Sequence, residues 1–155
     1  MRVGADAPQH GAIVGRQAED PRFVFEPLAS APLVCFVALA HEWAHRNAVT
    51  LSEITRTTLI LRESRSETRR LLEHALAARG LAATNVFEVE GREAVSAGVG
   101  IGIVSAAELD VDPRITALAL SGANLVMVEY IACLAARRCL SVVEAFFAAA
   151  SAEST

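Results

Sequence analysis

Between residues 32 and 105 the chain alternates short strand-like runs with segments that carry helix start and stop signals. The runs are PLVCFVALA (32–40), TLIL (58–61), NVFEVE (85–90) and GIGIVS (100–105). A helix fits the length of the first run nearly as well, but β-branched and aromatic residues at its centre favour a strand. Between the runs, Thr50 and Glu53 form a T-x-x-E capping box that opens LSEIT. Ser64 and Glu67 form a second box, and the helix after it puts Leu71, Leu72, Ala75 and Leu76 on one face before stopping at Gly80. EAVSAG reads as a brief third helix behind Gly91 and Arg92. Strand and helix in alternation predict an α/β unit with a mainly parallel sheet. Ligands of such sheets sit beyond the carboxyl ends of the strands, where helix N-termini point.

The composition suits this reading. Hydrophobic residues make up 53% of the chain and aromatics 5%, the balance expected of helices packed on strands buried on both faces. A length of 155 residues is enough for one domain or two small lobes. With a net charge of −4 and no long basic run, the chain by itself is a poor nucleic-acid binder. Cys35, Cys133 and Cys139 lie in apolar segments without C-x-x-C spacing, as reduced, buried thiols of a cytoplasmic protein do. The N-terminus lacks a signal-peptide layout, and the longest apolar run, APLVCFVALA, is too short to span a bilayer. Outside the alternating region, RVGAD (2–6) and AIVG (12–15) read as short strands and RFVFEPL as an extended edge segment. ITALAL (115–120) and LVMVEYIACLA (125–135) read as strands and LSVVEAFFAAAS (140–151) as a closing helix. No internal repeat stands out.

HEWAH (41–45) matches H-E-x-x-H, which on a helix sets two imidazoles one turn apart for zinc with a glutamate between them. A zinc hydrolase needs a third ligand. The extended pattern fails, with Ala48 where a glycine belongs and Leu51 where the last histidine belongs. His74 is expected on the outer face of a helix, and nothing selects among Glu67, Glu73 and Glu90. The alternative is a turn after a strand, with both imidazoles in solvent. Ser64, Ser66 and Ser105 have no histidine placed to activate them, so catalysis, a metal and a cofactor are not expected.

LRESRSETRR (61–70) carries more chemistry. The first N–H groups of its helix are unpaired and lie at the positive end of the dipole. Ser64, Ser66 and Thr68 add hydroxyls, and Arg62 and Arg65 can add charge-assisted hydrogen bonds. A carboxylate, sulfate or phosphonate would be held there. The alternative is that Ser64 only caps the helix and the arginines face solvent. EGREAVSAGVGIGIV is a second candidate wall, in which Gly91, Gly98, Gly100 and Gly102 permit close backbone approach. Their G-x-G-x-G spacing is not the dinucleotide fingerprint, and tight helix–strand packing is the plainer reading for Gly98 and Gly102.

Taken together, DPRFVFEPLASAPLVCFVALAHEWAHRNAVTLSEI, LILRESRSETRRLLEHAL, VFEVEGREAVSAGVGIGIVS and DPRITAL make residues 20–150 resemble the effector-binding domain of LysR-type transcriptional regulators. RVGADAP, EGREAV and MVEY are also similar to the subgroup associated with aminoethylphosphonate catabolism. The resemblance places HEWAH in a post-strand turn. It implies a three-layer αβα, type 2 periplasmic-binding-protein-like lobe and a cytoplasmic homo-oligomer that touches DNA only through a domain absent from this chain. Residues 33–120 would be regulatory lobe two. Residues 1–32 and 121–155 would be a remnant of lobe one, lacking its usual helix–strand–helix piece, so a partner chain, a swap or a rearranged lobe is expected to cover exposed apolar surface. A small anionic effector would bind in the interlobe cleft and shift the angle between the lobes. Gln9, Arg62, Ser64, Arg65, Ser66, Thr68, Arg92 and Gly100 are the expected contacts. A zinc hydrolase, an exported solute-binding protein and a structural or oligomerisation module with no ligand are the competing readings.

Overall fold

Phe23 through Ala38 form one strand of 16 residues, β2, although Pro27 and Pro32 fall within it. The sequence reads as an edge segment followed by a separate buried strand. Both prolines are exposed, where a missing ladder N–H costs little, and the strand runs on into a stretch where Cys35 and Val37 are fully buried. This computed structural model describes residues 12–89, 92–109, 111–137, 144–145 and 148–149. The sequence-predicted strand RVGAD lies outside them, as does most of the closing helix. The chain forms two units, Ala31–Met127 and the flanking segments up to Ser30 and from Val128.

In the Ala31–Met127 unit the elements after β2 are β3 (Ala48–Thr50), α1 (Leu51–Ile54), β4 (Leu59–Leu61), α2 (Glu67–Ala77), β5 (Val86–Glu88), α3 (Glu93–Ser96), β6 (Ile101–Ser105) and β7 (Ile115–Ser121). A 3-10 turn, Ala106–Glu108, follows β6. The strands lie in the order β5-β4-β6-β2-β7-β3. β4 is parallel to both β5 and β6, and β3 to β7, as helical crossovers require. β2 is antiparallel to β6 and to β7, so the sheet is mixed.

Period-two alternation divides the core into two layers. Leu59 and Leu61, with Leu33, Cys35, Val37, Ile101, Ile103, Leu118 and Leu120, pack under Leu51 and Ile54 of α1 and Leu72, Ala75 and Leu76 of α2. Ile60, Phe36, Val104 and Ile115 face the other way and pack with Val95 of α3. Helices therefore cover both faces, and the architecture is αβα. Gly102 sits beneath Phe36: a Cβ there would lie 2.3 Å from the ring. Gly98 has a different role, turning the chain out of α3 at φ +79 with nothing near its missing Cβ, so close packing does not explain it.

The α1 capping box forms as the sequence predicts. Thr50 Oγ1 accepts from the Glu53 N–H at 3.2 Å, and the Glu53 carboxylate accepts from the Thr50 N–H at 2.8 Å. The box expected at Ser64 does not form. The Ser66 N–H donates to Glu63 O at 2.9 Å, closing a turn across those residues, and the helix starts at Glu67 with Ser66 as its N-cap. The far end of α2 turns through Gly80 (φ +66), where the Leu81 N–H reaches Leu76 O at 2.9 Å.

The flanking unit contains β1 (Ala12–Val14), antiparallel to the strand β8 (Val126–Leu134), and a small core of Ile131 and Cys133 against Val24 and Leu28. β2 and β7 are each opened by an Asp-Pro-Arg turn. Arg22 and Arg114 grip the carboxylates of Asp20 and Asp112 with the same three bonds, at 2.9, 3.0 and 2.7 Å in both copies. Each arginine holds its aspartate well down, to about 2. Among the described residues no helix is long and apolar enough to cross a membrane.

Candidate functional site

Leu61, the last residue of β4, is buried, and the chain leaves the sheet through Arg62–Ser66 before α2 begins. Arg62, Ser64 and Arg65 are exposed, and Arg62 Nε lies 3.6 Å from Glu63. The first helical bond runs from the Arg70 N–H to Ser66 O at 3.0 Å. The amides of Glu67, Thr68 and Arg69 therefore have no partner in the helix, and none elsewhere among the described residues. Ser66 is nine-tenths buried, and its side chain makes no capping bond.

Two neighbouring arginines are already engaged. Arg69 donates to Glu73 at 2.8 Å, to Glu88 of β5 at 2.7 Å and to the carbonyl of Arg62 at 3.0 Å. Those carboxylates, Glu73 first, raise its pKa against the opposing effect of burial. Arg69 thus ties the exit loop to both α2 and β5, a positioning role that the sequence does not suggest. Arg70 is paired with Glu67. Thr68 points inward, and its hydroxyl donates to Met127 Sδ at 3.5 Å in the core, so that side chain is directed away from the helix tip.

β4, β5 and β6 are parallel, so their carboxyl ends open at one edge of the sheet. This edge gathers the Arg62–Ser66 loop, the α2 tip and Ser105. Arg92, reached from β5, also lies there and donates to the carbonyl of Glu108 just beyond β6. Gly100 does not join them. It precedes β6, at the opposite edge, and a Cβ on it would meet Thr58 O at 2.4 Å, so close packing accounts for this glycine. Gln9 and Gly91 lie outside the described residues.

HEWAH also lies at that opposite edge, in a succession of turns after β2 rather than on a helix. The His41, Ala44 and Arg46 N–H groups each donate three residues back, at 2.9 Å. His41 Nδ1 accepts from the Trp43 N–H at 3.1 Å and its ring edges onto the Trp43 ring, while the Arg46 guanidinium sits over that indole, 5.5 Å from the ring centroid. The helical spacing on which the zinc reading depends is not present. Among the described residues no three His, Cys, Asp or Glu side chains are grouped to hold a metal.

The LysR substrate binding domain family matches residues 9–154. The chain belongs to this family. No curated protein sequence shows a significant match. The regulatory domain of CcmR from Synechocystis PCC6803, solved with 2-PG, superposes with a TM-score of 0.79 at 19% identity, over 94% of this chain and 74% of that one. The QuiR effector-binding domain, solved with shikimate, gives 0.79 at 21% identity, over 94% and 71%. HinK, a LysR family regulator from Pseudomonas aeruginosa, gives 0.81 at 15% identity, over 93% and 52%. These likenesses are of fold: the chain is an α/β domain of the type 2 periplasmic-binding-protein kind. Within this LysR domain, the carboxyl edge around α2 is the candidate site.

Proposed function

We propose that the chain is the effector-sensing domain of a LysR-type transcriptional regulator and holds a small anion at the N-terminus of α2. The observation that carries this reading is the set of unpartnered amides of Glu67, Thr68 and Arg69 beside the uncapped Ser66 hydroxyl. Such a tip favours negative charge. Arg65 and Arg62, both exposed, supply charge, while Ser64 lines the entrance. Arg92 supports the neighbouring wall through Glu108. Two structural neighbours were solved with shikimate and with benzoate, both carboxylates by name. Carboxylates, sulfate and phosphonates are the classes assigned to this chain, with 2-aminoethylphosphonate as the specific candidate from its sequence similarity to that subgroup.

In this reading the Ala31–Met127 unit is regulatory lobe two and the flanking unit belongs to lobe one. The regulator acts in the cytoplasm as a homo-oligomer, performs no catalysis, uses no cofactor, and contacts DNA through a part other than this domain. The test is a thermal-shift screen of the full chain against carboxylates, sulfate and phosphonates, followed by calorimetric titration. A bound anion is expected to lose about tenfold in affinity in Ser66→Ala, and more in the double variant with Arg65→Gln, as loss of a charge-assisted hydrogen bond predicts. Absence of any stabilising anion would leave a purely structural module as the reading.

A further inference from the structure

Among the described residues four polar residues are nine-tenths or more buried: Thr55, Ser66, Thr68 and Ser105. Two are satisfied within the fold. Thr55 donates to Ser52 O at 2.9 Å and Thr68 to Met127 Sδ at 3.5 Å. Ser66 and Ser105 have no side-chain hydrogen bond. No side-chain nitrogen or oxygen sealed from solvent lacks a partner among those residues. The hydroxyl oxygens of Ser66 and Ser105 are therefore not completely sealed, although each residue is enclosed.

Both residues lie at the carboxyl edge of the parallel strands. Ser105 ends β6, at the carboxyl edge. Strand alternation puts its side chain on the face of Ile101 and Ile103, the layer under α2, and its register partner Leu33 packs in that layer as well. α2 packs against β6 and starts from the carboxyl end of parallel β4, so its first turn lies over the end of β6 where Ser105 emerges.

We propose that Ser105 is a second ligand-binding hydroxyl and that the effector is a small hydroxy acid. The inference rests on the helix-tip anion site of the preceding subsection. The anionic head is matched by the α2 amides, Ser66 and Arg65. At Ser105 the flanking residues Val104 and Ala106 and the paired Leu33 carry no charge. A neutral hydroxyl there, donor and acceptor at once, complements a neutral hydroxyl on the ligand.

The test compares 3-hydroxypropionate with propionate and 2-hydroxyethylphosphonate with ethylphosphonate, titrated into the wild-type chain and into Ser105→Ala and Ser66→Ala. Wild type is expected to prefer the hydroxylated member of at least one pair by about fivefold, the worth of one neutral hydrogen bond. Ser105→Ala should bring that pair to within about twofold by weakening the hydroxylated member alone, and Ser66→Ala should weaken both members alike. A preference that survives in Ser105→Ala, or that wild type never shows, overturns the proposal while leaving the anion site standing. If no probe binds wild type, the anion site itself fails and the proposal falls with it. A ligand-free measurement adds an independent check. With no internal bond to lose, Ser105→Ala should melt within about 2 °C of wild type, and a fall beyond about 5 °C reveals a structural partner and overturns the role.

Discussion

Replacing Gly100 with alanine places a methyl carbon 2.4 Å from Thr58 O, 3.0 Å from Thr58 Cγ2 and 3.2 Å from Ile60 Cγ1. The nearest of these atoms belongs to the backbone and cannot rotate away. That carbonyl also accepts the Ile101 N–H at 2.9 Å, the bond that joins the start of β6 to the chain entering β4. Restoring ordinary contact means parting the two strands by roughly 1 Å, which takes this hydrogen bond beyond its useful range. Overpacking a filled interior costs about 1–3 kcal/mol. Stranding a buried N–H costs about 1–3 kcal/mol more. A loss near 3 kcal/mol lowers Tm by roughly 6–12 °C for a chain of this size. Urea unfolding followed by circular dichroism measures it. Gly98→Ala is the control, because its new methyl meets nothing within 4 Å and it bears only the penalty of φ +79, about 1–2 kcal/mol. If Gly100→Ala unfolds within about 0.5 kcal/mol of wild type, an ordinary surface effect, the packing argument is refuted. Folded Gly100→Ala should bind the same anions as wild type, since the glycine stands at the edge opposite the α2 N-terminus.

Other perturbations give equally definite outcomes. Thr50→Ala removes the α1 capping box and should cost about 1 kcal/mol in urea unfolding. Leu72→Ala, at a fully buried position of α2, should cost about 2–5 kcal/mol by the same assay. The Thr50 N–H and then Arg46 hold Glu53 at about 2, down from 4.5. The stability it contributes is thus complete above 4.5 and disappears as pH falls towards 2, and acid titration of Glu53→Gln should show a shallower loss across that window. Burial pushes the Cys35 thiol up to about 12, so in a Cys139→Ser background neither Cys35 nor Cys133, both buried, should react with a thiol reagent at pH 8 until denaturant is added. Rapid labelling of the native chain would contradict their burial.

The strand–helix rhythm was readable because each crossover carries its own punctuation, as at Thr50–Glu53 and Gly80. What escaped reading has physical causes. β3 is three residues long and ends on the α1 cap, so no run of apolar residues announces it. β2 continues through two prolines because both are exposed, and exposure is not visible before pairing is known. The S-x-x-E spacing at Ser64 serves a turn closed by the Ser66 N–H, and side-chain spacing alone does not distinguish these uses. The twin Asp-Pro-Arg turns are three-residue repeats too short to notice without their matching bonds. At the candidate site, the sequence shows the α2 tip, where helix signals and hydroxyls coincide. It does not show that Thr68 turns inward, that Gly100 stands at the other edge, or that Ser105 comes under α2, because each of these depends on strand register.

Trp43 is the only tryptophan in the chain, and it is packed in the β2 turn with His41 and Arg46. Its emission will report loss of that indole's enclosure when the sheet comes apart. It will stay silent when a guest settles at α2, because the chromophore and the guest occupy contrary ends of the strands. A screen that relied on intrinsic fluorescence at constant temperature would therefore score any anion held at the α2 tip as inert.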